Sequence, residues 1–322
     1  MNTPFRWCFI GAGNQAKLVA RQLKKTPAHE IVSVYTRRQE NAIAFVEKYG
    51  GKVYSTALEA ISAANVDAVY VVTPHTSHYE YSKLALTLGK PVLCEKPITV
   101  SAWQAEELFA LAKEKNVYLC EGMWTWFSPV ANQAREWVDS GKLGEIVDVV
   151  ANYHLNSQLY SKRAMNPHLA GGALLNVGIY PITYLYRLFG KPTHISCIGT
   201  IRNGVDAYEN IDLTFANGHT YKVSASNVDF KGLENMVITG TKGTINAPFF
   251  HATNSVKLSV AGEKATKFKG NGSFLNEFNI VASEIREGLI DSRYVPSAAT
   301  IDVMHIMDEC RKLMGLRYPF EK

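Results

Sequence analysis

Three sets of residues in this 322-residue chain have types and spacings suited to chemistry. The first is Gly11-Ala12-Gly13-Asn14-Gln15-Ala16, which follows directly on the apolar run Trp7-Cys8-Phe9-Ile10. In a G-x-G-x-x-A order, Gly11 makes a tight turn, Gly13 lets the backbone approach a pyrophosphate, and Ala16 lets a helix pack close to the strand. The helix then aims free N–H groups at the anion. Ala12, Asn14 and Gln15 fill the same loop and are expected to touch the same cofactor. Any tight strand–helix turn favours glycine; the β-α-β context is what makes the dinucleotide reading the stronger one. The second set is Tyr35-Thr36-Arg37-Arg38, at the end of the next apolar run. An acidic residue there would accept from the ribose 2′-OH of NAD. None lies in that window, and a hydroxyl with two guanidiniums suits a 2′-phosphate. Thr36, Arg37 and Arg38 therefore predict NADP (NADPH) over NAD, against the plainer reading that the arginines cap a loop. The third set closes three later apolar runs: Thr73-Pro74-His75-Thr76-Ser77-His78, Glu95-Lys96-Pro97 and Glu121-Gly122-Met123-Trp124.

The elements that position these residues read clearly in the first third of the chain. Short apolar runs without clean alternation (7–10, 31–35, 68–72, 91–94 and 117–120) are the mark of strands covered on both faces. Between them lie helical stretches at 16–25, 41–49, 76–88 and 101–115. With a lesser strand at Val53-Tyr54, the pattern predicts a doubly wound parallel sheet of about six strands. After Gly122 the texture changes. A helix at 130–140, a strand at 146–155, a long loop at 157–172 and a helix at 174–189 interrupted by Pro181 lead into alternating strands at 194–201, 211–215, 221–226 and 236–239. The Asn217-Gly218 pair is expected to supply positive φ at both positions of a hairpin turn. Helices at 274–287 and 298–314 close the chain. The fold class expected is α/β, an N-terminal Rossmann sheet over residues 1–123 and a C-terminal α+β domain over 124–322 with a largely antiparallel open sheet.

Composition narrows the functions. Lys and Arg number 34 and Asp and Glu 29, and they are scattered, which argues against nucleic-acid binding. Apolar runs stay well short of the roughly 18 residues a membrane span needs, and the N-terminus shows no secretory pattern. Five cysteines without a CxxC pair fit a reduced, cytoplasmic protein. His75 and His78, three apart, lack further ligands nearby, so no metal is expected, only cofactor-loop contacts and capping.

With those motifs in that order, and Gly171-Gly172-Ala173-Leu174-Leu175-Asn176-Val177-Gly178-Ile179-Tyr180-Pro181 further on, the chain resembles the glucose–fructose oxidoreductase/inositol dehydrogenase (Gfo/Idh/MocA) family over essentially its whole length. Tyr180 where many members carry histidine, Glu-Gly-Met-Trp-Thr-Trp-Phe at 121–127, and Tyr318-Pro319-Phe320-Glu321 point to its dimeric dihydrodiol dehydrogenase branch. The resemblance implies that Lys96 is catalytic, holding the substrate oxygen and stabilising an alkoxide. Desolvation would bring a lysine toward neutrality and let it shuttle a proton. It implies a cofactor site formed by the fingerprint with Thr73, Pro74, His75, His78, Glu95, Lys96, Met123 and Trp124. Tyr180 is the second catalytic candidate, a phenol favoured as phenolate by a neighbouring ammonium. Asn176 departs from the family, where aspartate is common. An amide orients a hydroxyl but gives Lys96 no anionic neighbour, so a shifted pH–rate profile or a different substrate is expected. Trp124, Trp126 and Phe127 are candidates for an apolar wall, and His154, Asn156 and Arg202 for substrate contacts.

The function expected is hydride transfer between nicotinamide and a CH–OH or C=O group of a sugar, polyol or trans-dihydrodiol-like substrate. A homodimer or homotetramer through the C-terminal sheet is expected because an open sheet face needs covering. Two rivals stand beside it, a non-catalytic NAD(P) sensor and a reductase of a non-sugar carbonyl. Retained Lys96 and Tyr180 argue against the sensor; Asn176 argues for it.

Overall fold

Each apolar run of the first third becomes a parallel strand. The computed structural model describes residues 3–321. Strands β1 (Phe5–Ile10), β2 (His29–Tyr35), β3 (Lys52–Val53), β4 (Ala68–Val71), β5 (Val92–Glu95) and β6 (Leu119–Gly122) form one sheet in the order β3-β2-β1-β4-β5-β6. Every residue of β4, β5 and β6 is buried, which is why those segments show no polar alternation. Helices α1 (Asn14–Leu23), α2 (Gln39–Tyr49), α3 (Ala57–Ile61), α4 (His78–Thr87) and α5 (Ala102–Lys115) connect the strands. The strand order reverses between β1 and β4, and in open α/β sheets ligands bind beyond the carboxyl ends at that point.

The unit built on this sheet is discontinuous. It takes in the chain up to Trp124 together with Ser273–Ile301, while Thr125–Gly272 and the chain from Asp302 form a second unit. A single boundary after residue 123 therefore leaves out a segment that returns. Its Phe278 packs against Trp7 at 4.7 Å and Tyr70 at 5.1 Å, and Tyr118 donates to Glu284 Oε2 at 2.6 Å. An apolar helical pattern says that a helix needs covering and not which sheet it covers, so the return was not readable.

The second unit opens with α6 (Pro129–Asp139) and holds α7 (Ile179–Phe189). Its sheet joins β7 (Ile146–His154), β8 (His194–Arg202), β9 (Val205–Thr214), β10 (Thr220–Ser226), β11 (Glu234–Gly240), β12 (Gly243–Pro248), β13 (Ser255–Val260) and β14 (Thr266–Lys269) in the order β14-β13-β12-β11-β7-β10-β9-β8. All pairs are antiparallel except β7 with β10. One face carries Val149, Ala151, Ile211, Leu213, Val223, Ala225, Met236 and Ile238, all buried. The opposite face exposes Asn210, Asp212, Lys222 and, at 75% exposure, Ile198. The last helices are α8 (Phe274–Arg286), in the returning segment, and α9 (Ser297–Leu313).

Two details sharpen the sequence reading. The helix at 174–189 restarts just ahead of Pro181. Leu174–Gly178 forms a π-helical turn, and α7 begins at Ile179, so Pro181 falls in a first helical turn where its missing N–H is not needed. At Asn217-Gly218 only Gly218 has positive φ, +82°; Phe215 N donates to His219 O and Gly218 N to Phe215 O. That is a three-residue loop closed by a left-handed glycine. The two-residue turn with positive φ at both positions occurs at Asn203-Gly204, +53° and +77°, between β8 and β9.

Candidate functional site

The fingerprint loop has the local geometry its residues foretell. Gly11 sits at φ +114°, and a Cβ there would stand 2.5 Å from Val72 O, so the loop admits only glycine. Gly13 is the N-cap of α1 and contributes no side-chain cap, and a Cβ on it would meet nothing within 4 Å. Ala16 is fully buried under the helix. The result is an uncapped helix N-terminus with open space before it, a fit for a pyrophosphate. Past β2, Thr36 is half-buried, Arg37 and Arg38 are exposed, and among the described residues no carboxylate pairs with either guanidinium. Tyr81, whose ring lies 6.1 Å from that of Tyr35, is pushed up to about 12, chiefly by burial.

The loops after β4 and β5 are tied to one another. The ring nitrogens of buried His78 lie 2.8 Å from Pro97 O and 2.9 Å from Thr73 O, so one imidazole spans the Thr73-Pro74 and Lys96-Pro97 segments. His78 is the first residue of α4 and does not cap it; the ring of His75 stands 5.8 Å away. The Lys96–Pro97 peptide is cis. Lys96 is half-buried at the carboxyl end of β5. Glu95, before it, turns its carboxylate into the unit, where Oε1 accepts from Tyr70 OH at 2.5 Å and from Gln15 Nε2 at 3.0 Å. Gln15 thereby links the fingerprint helix to the Lys96 strand. Met123 is fully enclosed, and Trp124 packs on Phe274 with ring centroids 4.8 Å apart.

Sequence reasoning missed the buried acids of this unit. Glu121 accepts from Ile98 N at 3.0 Å and Thr300 Oγ1 at 3.2 Å, and burial pushes its carboxyl up to about 7. Burial likewise raises the Glu95 carboxyl, against the opposing pull of Tyr70 and the Lys96 ammonium. The carboxyl of Glu277, from α8, is raised well above the ordinary range by burial and then by Glu95 and Glu121.

The second unit holds Asn176 and Tyr180. Asn176, in the π turn, donates through Nδ2 to Ser157 Oγ at 3.1 Å and to Asn227 Oδ1 at 3.0 Å. Buried carboxyls underlie this turn and explain its glycines. Asp206 accepts from Leu174 N at 2.5 Å, a Cβ on Gly172 would collide with Asp206, and one on Gly178 would stand 2.9 Å from Glu209 Oε1. Burial raises Asp206 to about 6. Tyr318, of the C-terminal motif, donates to Gly171 O at 2.8 Å. Tyr180 is buried, its ring 5.8 Å from that of Tyr153 and 5.2 Å from that of His251. Tyr153 OH and His251 Nε2 are 3.2 Å apart, and His251 Nδ1 stands 2.7 Å from Glu234 Oε2. His251 and Glu234 gave no sequence signal. Trp126 and Phe127 are core residues of this unit, the Arg187 guanidinium lying over the Trp126 ring. His154 is held by Asp229 and Ser224, and with Arg202 it lines a hollow of about 310 Å³; the sequence marked Asn156 with them, and its Oδ1 is buried. Among the described residues no group of three or more His, Cys, Asp or Glu is arranged to hold a metal ion, and no helix is long and apolar enough to cross a membrane.

The family model for the oxidoreductase family with an NAD-binding Rossmann fold, GFO_IDH_MocA, matches residues 5–123, and that for the GFO/IDH/MocA C-terminal domain matches residues 131–246. The chain belongs to the GFO/IDH/MocA oxidoreductase family. Similar members include the trans-1,2-dihydrobenzene-1,2-diol dehydrogenase of Mus musculus, 32% identical over 98% of this chain and 99% of the relative. The NADP(+)-dependent D-xylose 1-dehydrogenase of Hypocrea jecorina is 29% identical over 98% of this chain and 93% of its own. Among solved structures, a 3-ketoreductase from Actinomadura kijaniata in complex with NADP and TDP-benzene aligns with a TM-score of 0.87 at 25% identity, covering 97% of this chain and 98% of that one. The first model spans all six strands of the parallel sheet, and the second spans β7 to β11 and the start of β12.

Proposed function

We propose that this GFO/IDH/MocA oxidoreductase works with NADP(H) and moves a hydride to or from the CH–OH/C=O carbon of a sugar, polyol or trans-dihydrodiol-like substrate. The observation that carries the reading is the arrangement at the carboxyl end of the parallel sheet. An uncapped helix N-terminus at Gly13 is followed, past β2, by two guanidiniums without carboxylate partners among the described residues, and Lys96 directly follows β5. The pyrophosphate would lie on the α1 N-terminus, the 2′-phosphate on Thr36, Arg37 and Arg38, and the remaining contacts with the 73–78 loop, Lys96 and Trp124. When bound, the nicotinamide supplies the hydride chemistry. The chain supplies position and charge: Lys96 holds the substrate oxygen and steadies an alkoxide, Tyr180 gives or takes the proton, and Asn176 orients a hydroxyl. NADP and sugar or diol chemistry are properties of the named relatives and support the reading by likeness. A second copy of the chain covering the exposed face of the eight-stranded sheet, in a cytoplasmic dimer or tetramer, belongs to the same proposal; sedimentation equilibrium tests it.

Turnover across a polyol, aldose, diol and carbonyl panel with each cofactor, repeated on Lys96→Ala, tests the function. NADP(H)-dependent turnover falling at least about a hundredfold in the variant is expected. NADPH binding without turnover anywhere on the panel would make the chain a nucleotide sensor instead.

A further inference from the structure

We propose that Asp206 and Glu209 of β9 are positioning residues for Asn176 and Tyr180: their buried carboxyl groups hold the turn at 172–178 that carries the first and leads into the second. The inference rests on the reading that Asn176 orients a hydroxyl and Tyr180 handles the proton. The helical stretch that begins with this turn has no cap of its own, since Ala173 precedes it and has no side chain to accept a hydrogen bond. Asp206, fully buried, accepts from Leu174 N at 2.5 Å instead. A carboxylate at a helix N-terminus satisfies an orphan donor and meets the positive end of the dipole. Ahead of the turn, Gly172 N donates to Ala164 O at 2.9 Å and Tyr318 donates to Gly171 O at 2.8 Å, so the chain enters it under restraint.

Two glycines record the fit. At Gly172, with φ +126°, the Asp206 carboxyl occupies the place a side chain would take, and any Cβ there would collide with it. Gly178 is the more telling of the two. Its φ of −63° and ψ of −29° are ordinary helical values that alanine adopts freely, and glycine in a helix is worse than alanine by about 1 kcal/mol. Backbone conformation therefore gives no reason for a glycine. Space does: a Cβ would stand 2.9 Å from Glu209 Oε1 and 3.3 Å from the Ala225 Cβ. Glu209 is fully buried, and its carboxyl, held well above the ordinary range by burial and then by Asp206, keeps its proton. It braces the turn without setting a second negative charge beside Asp206.

Asn176 lies within the braced turn, and Tyr180 follows two residues beyond it in the first turn of α7. Their side chains are held separately, Asn176 by Ser157 and Asn227 and the Tyr180 ring by those of Tyr153 and His251. The acids fix the backbone beneath both, from a strand that is itself paired on each side, with β10 and β8. An orienting amide and a proton-handling phenol tolerate little displacement, since a shift of about 1 Å costs up to about a hundredfold in rate. Asp206 and Glu209 act through that backbone. Removing them should lower turnover and leave NADPH, which the proposed site places on the dinucleotide unit, as tightly bound as before.

Amide hydrogen exchange over residues 172–180 of the free protein reads the turn without any turnover. Asp206→Ala should speed it at least about tenfold, while Asp206→Asn, whose amide oxygen still accepts from Leu174 N, should stay close to wild type. On the best substrate of the panel, Asp206→Ala should lower kcat about tenfold to a hundredfold, with KM changing less and NADPH affinity unchanged. Asp206→Asn should recover most of that loss. Gly178→Ala should lower kcat likewise, and adding Glu209→Ala to it should restore part, because the carboxyl that the new methyl strikes is gone. This pair carries the test if Asp206→Ala does not fold. Unchanged exchange in Asp206→Ala, a kcat loss that Asp206→Asn leaves unmended, or a Gly178→Ala defect that Glu209→Ala does not relieve overturns the proposal. So does wild-type kcat in both Asp206→Ala and Gly178→Ala, since the turn would then not serve the reaction. If instead Asn176→Ala and Tyr180→Phe keep full turnover while exchange behaves as expected, it is the roles of those two residues that fail.

Discussion

The side-chain amide of Asn176 donates to Asn227 Oδ1 across 3.0 Å, and the Ser157 hydroxyl donates to that same oxygen across 2.7 Å. An aspartate at 176 has nothing to donate and would set a carboxylate against an acceptor. Asn176→Asp should cost about 1–3 kcal/mol of stability, read from urea unfolding, because a buried group loses its donor. It should also add an ionising limb to the pH dependence of kcat/KM and change the substrate range. An unaltered pH optimum and substrate range would show that the amide has no part in the reaction.

The proposed preference for NADP(H) rests on Thr36, Arg37 and Arg38 past β2. Arg37→Ala combined with Arg38→Ala should lower kcat/KM with NADPH about tenfold to a hundredfold, the size of lost charged hydrogen bonds, and leave NADH nearly untouched. An equal loss with both cofactors would mean that the arginines only support the loop.

Gly11→Ala tests whether the fingerprint turn is steric. A Cβ would press to 2.5 Å from Val72 O at φ +114°, so a stability loss of about 2–4 kcal/mol and loss of NADPH binding are expected. A melting temperature equal to wild type would contradict it.

Buried acids leave a signature in the pH dependence of stability. Glu121 rises from 4.5 to about 7 and Asp206 from 3.8 to about 6 on folding, chiefly through burial. The folded protein therefore binds these protons more tightly than the unfolded chain. Their contribution is full below the lower values and is lost as pH rises through the upper ones. In urea midpoints measured across that window, Glu121→Gln and Asp206→Asn should each gain on wild type as pH increases. A difference that stays constant with pH would mean that these carboxyls ionise normally.

What was legible in the sequence was local. The Gly11–Ala16 turn could be read because strand, glycines and helix follow one another within a few residues, and each has its own steric reason. The two Asn-Gly pairs mark the limit. Each dipeptide signals a hairpin, yet the one at 203–204 adopts the two-residue turn and the one at 217–218 the three-residue loop. Strand register decides between them, and register is set by packing across the whole sheet. Strands β12, β13 and β14 went unread because each is short, four to six residues, and carries only one to three apolar side chains on its buried face. Glu284 at Tyr118, Asn227 beside Asn176 and His251 beside Tyr180 are far apart in sequence from the groups they meet. A single acid or amide carries no mark of its eventual neighbour.

The recruitment of Ser273–Ile301 into the dinucleotide unit also bears on how the protein is made. A ribosome delivers β1 to β6 early, yet Trp7, Tyr70 and Tyr118 meet Phe278 and Glu284 only after all eight strands of the second sheet have emerged. The N-terminal part emerging alone therefore lacks a piece of its own core. A fragment ending at residue 124 would carry a raw aromatic surface, and a nascent chain needs that surface shielded until translation is almost complete.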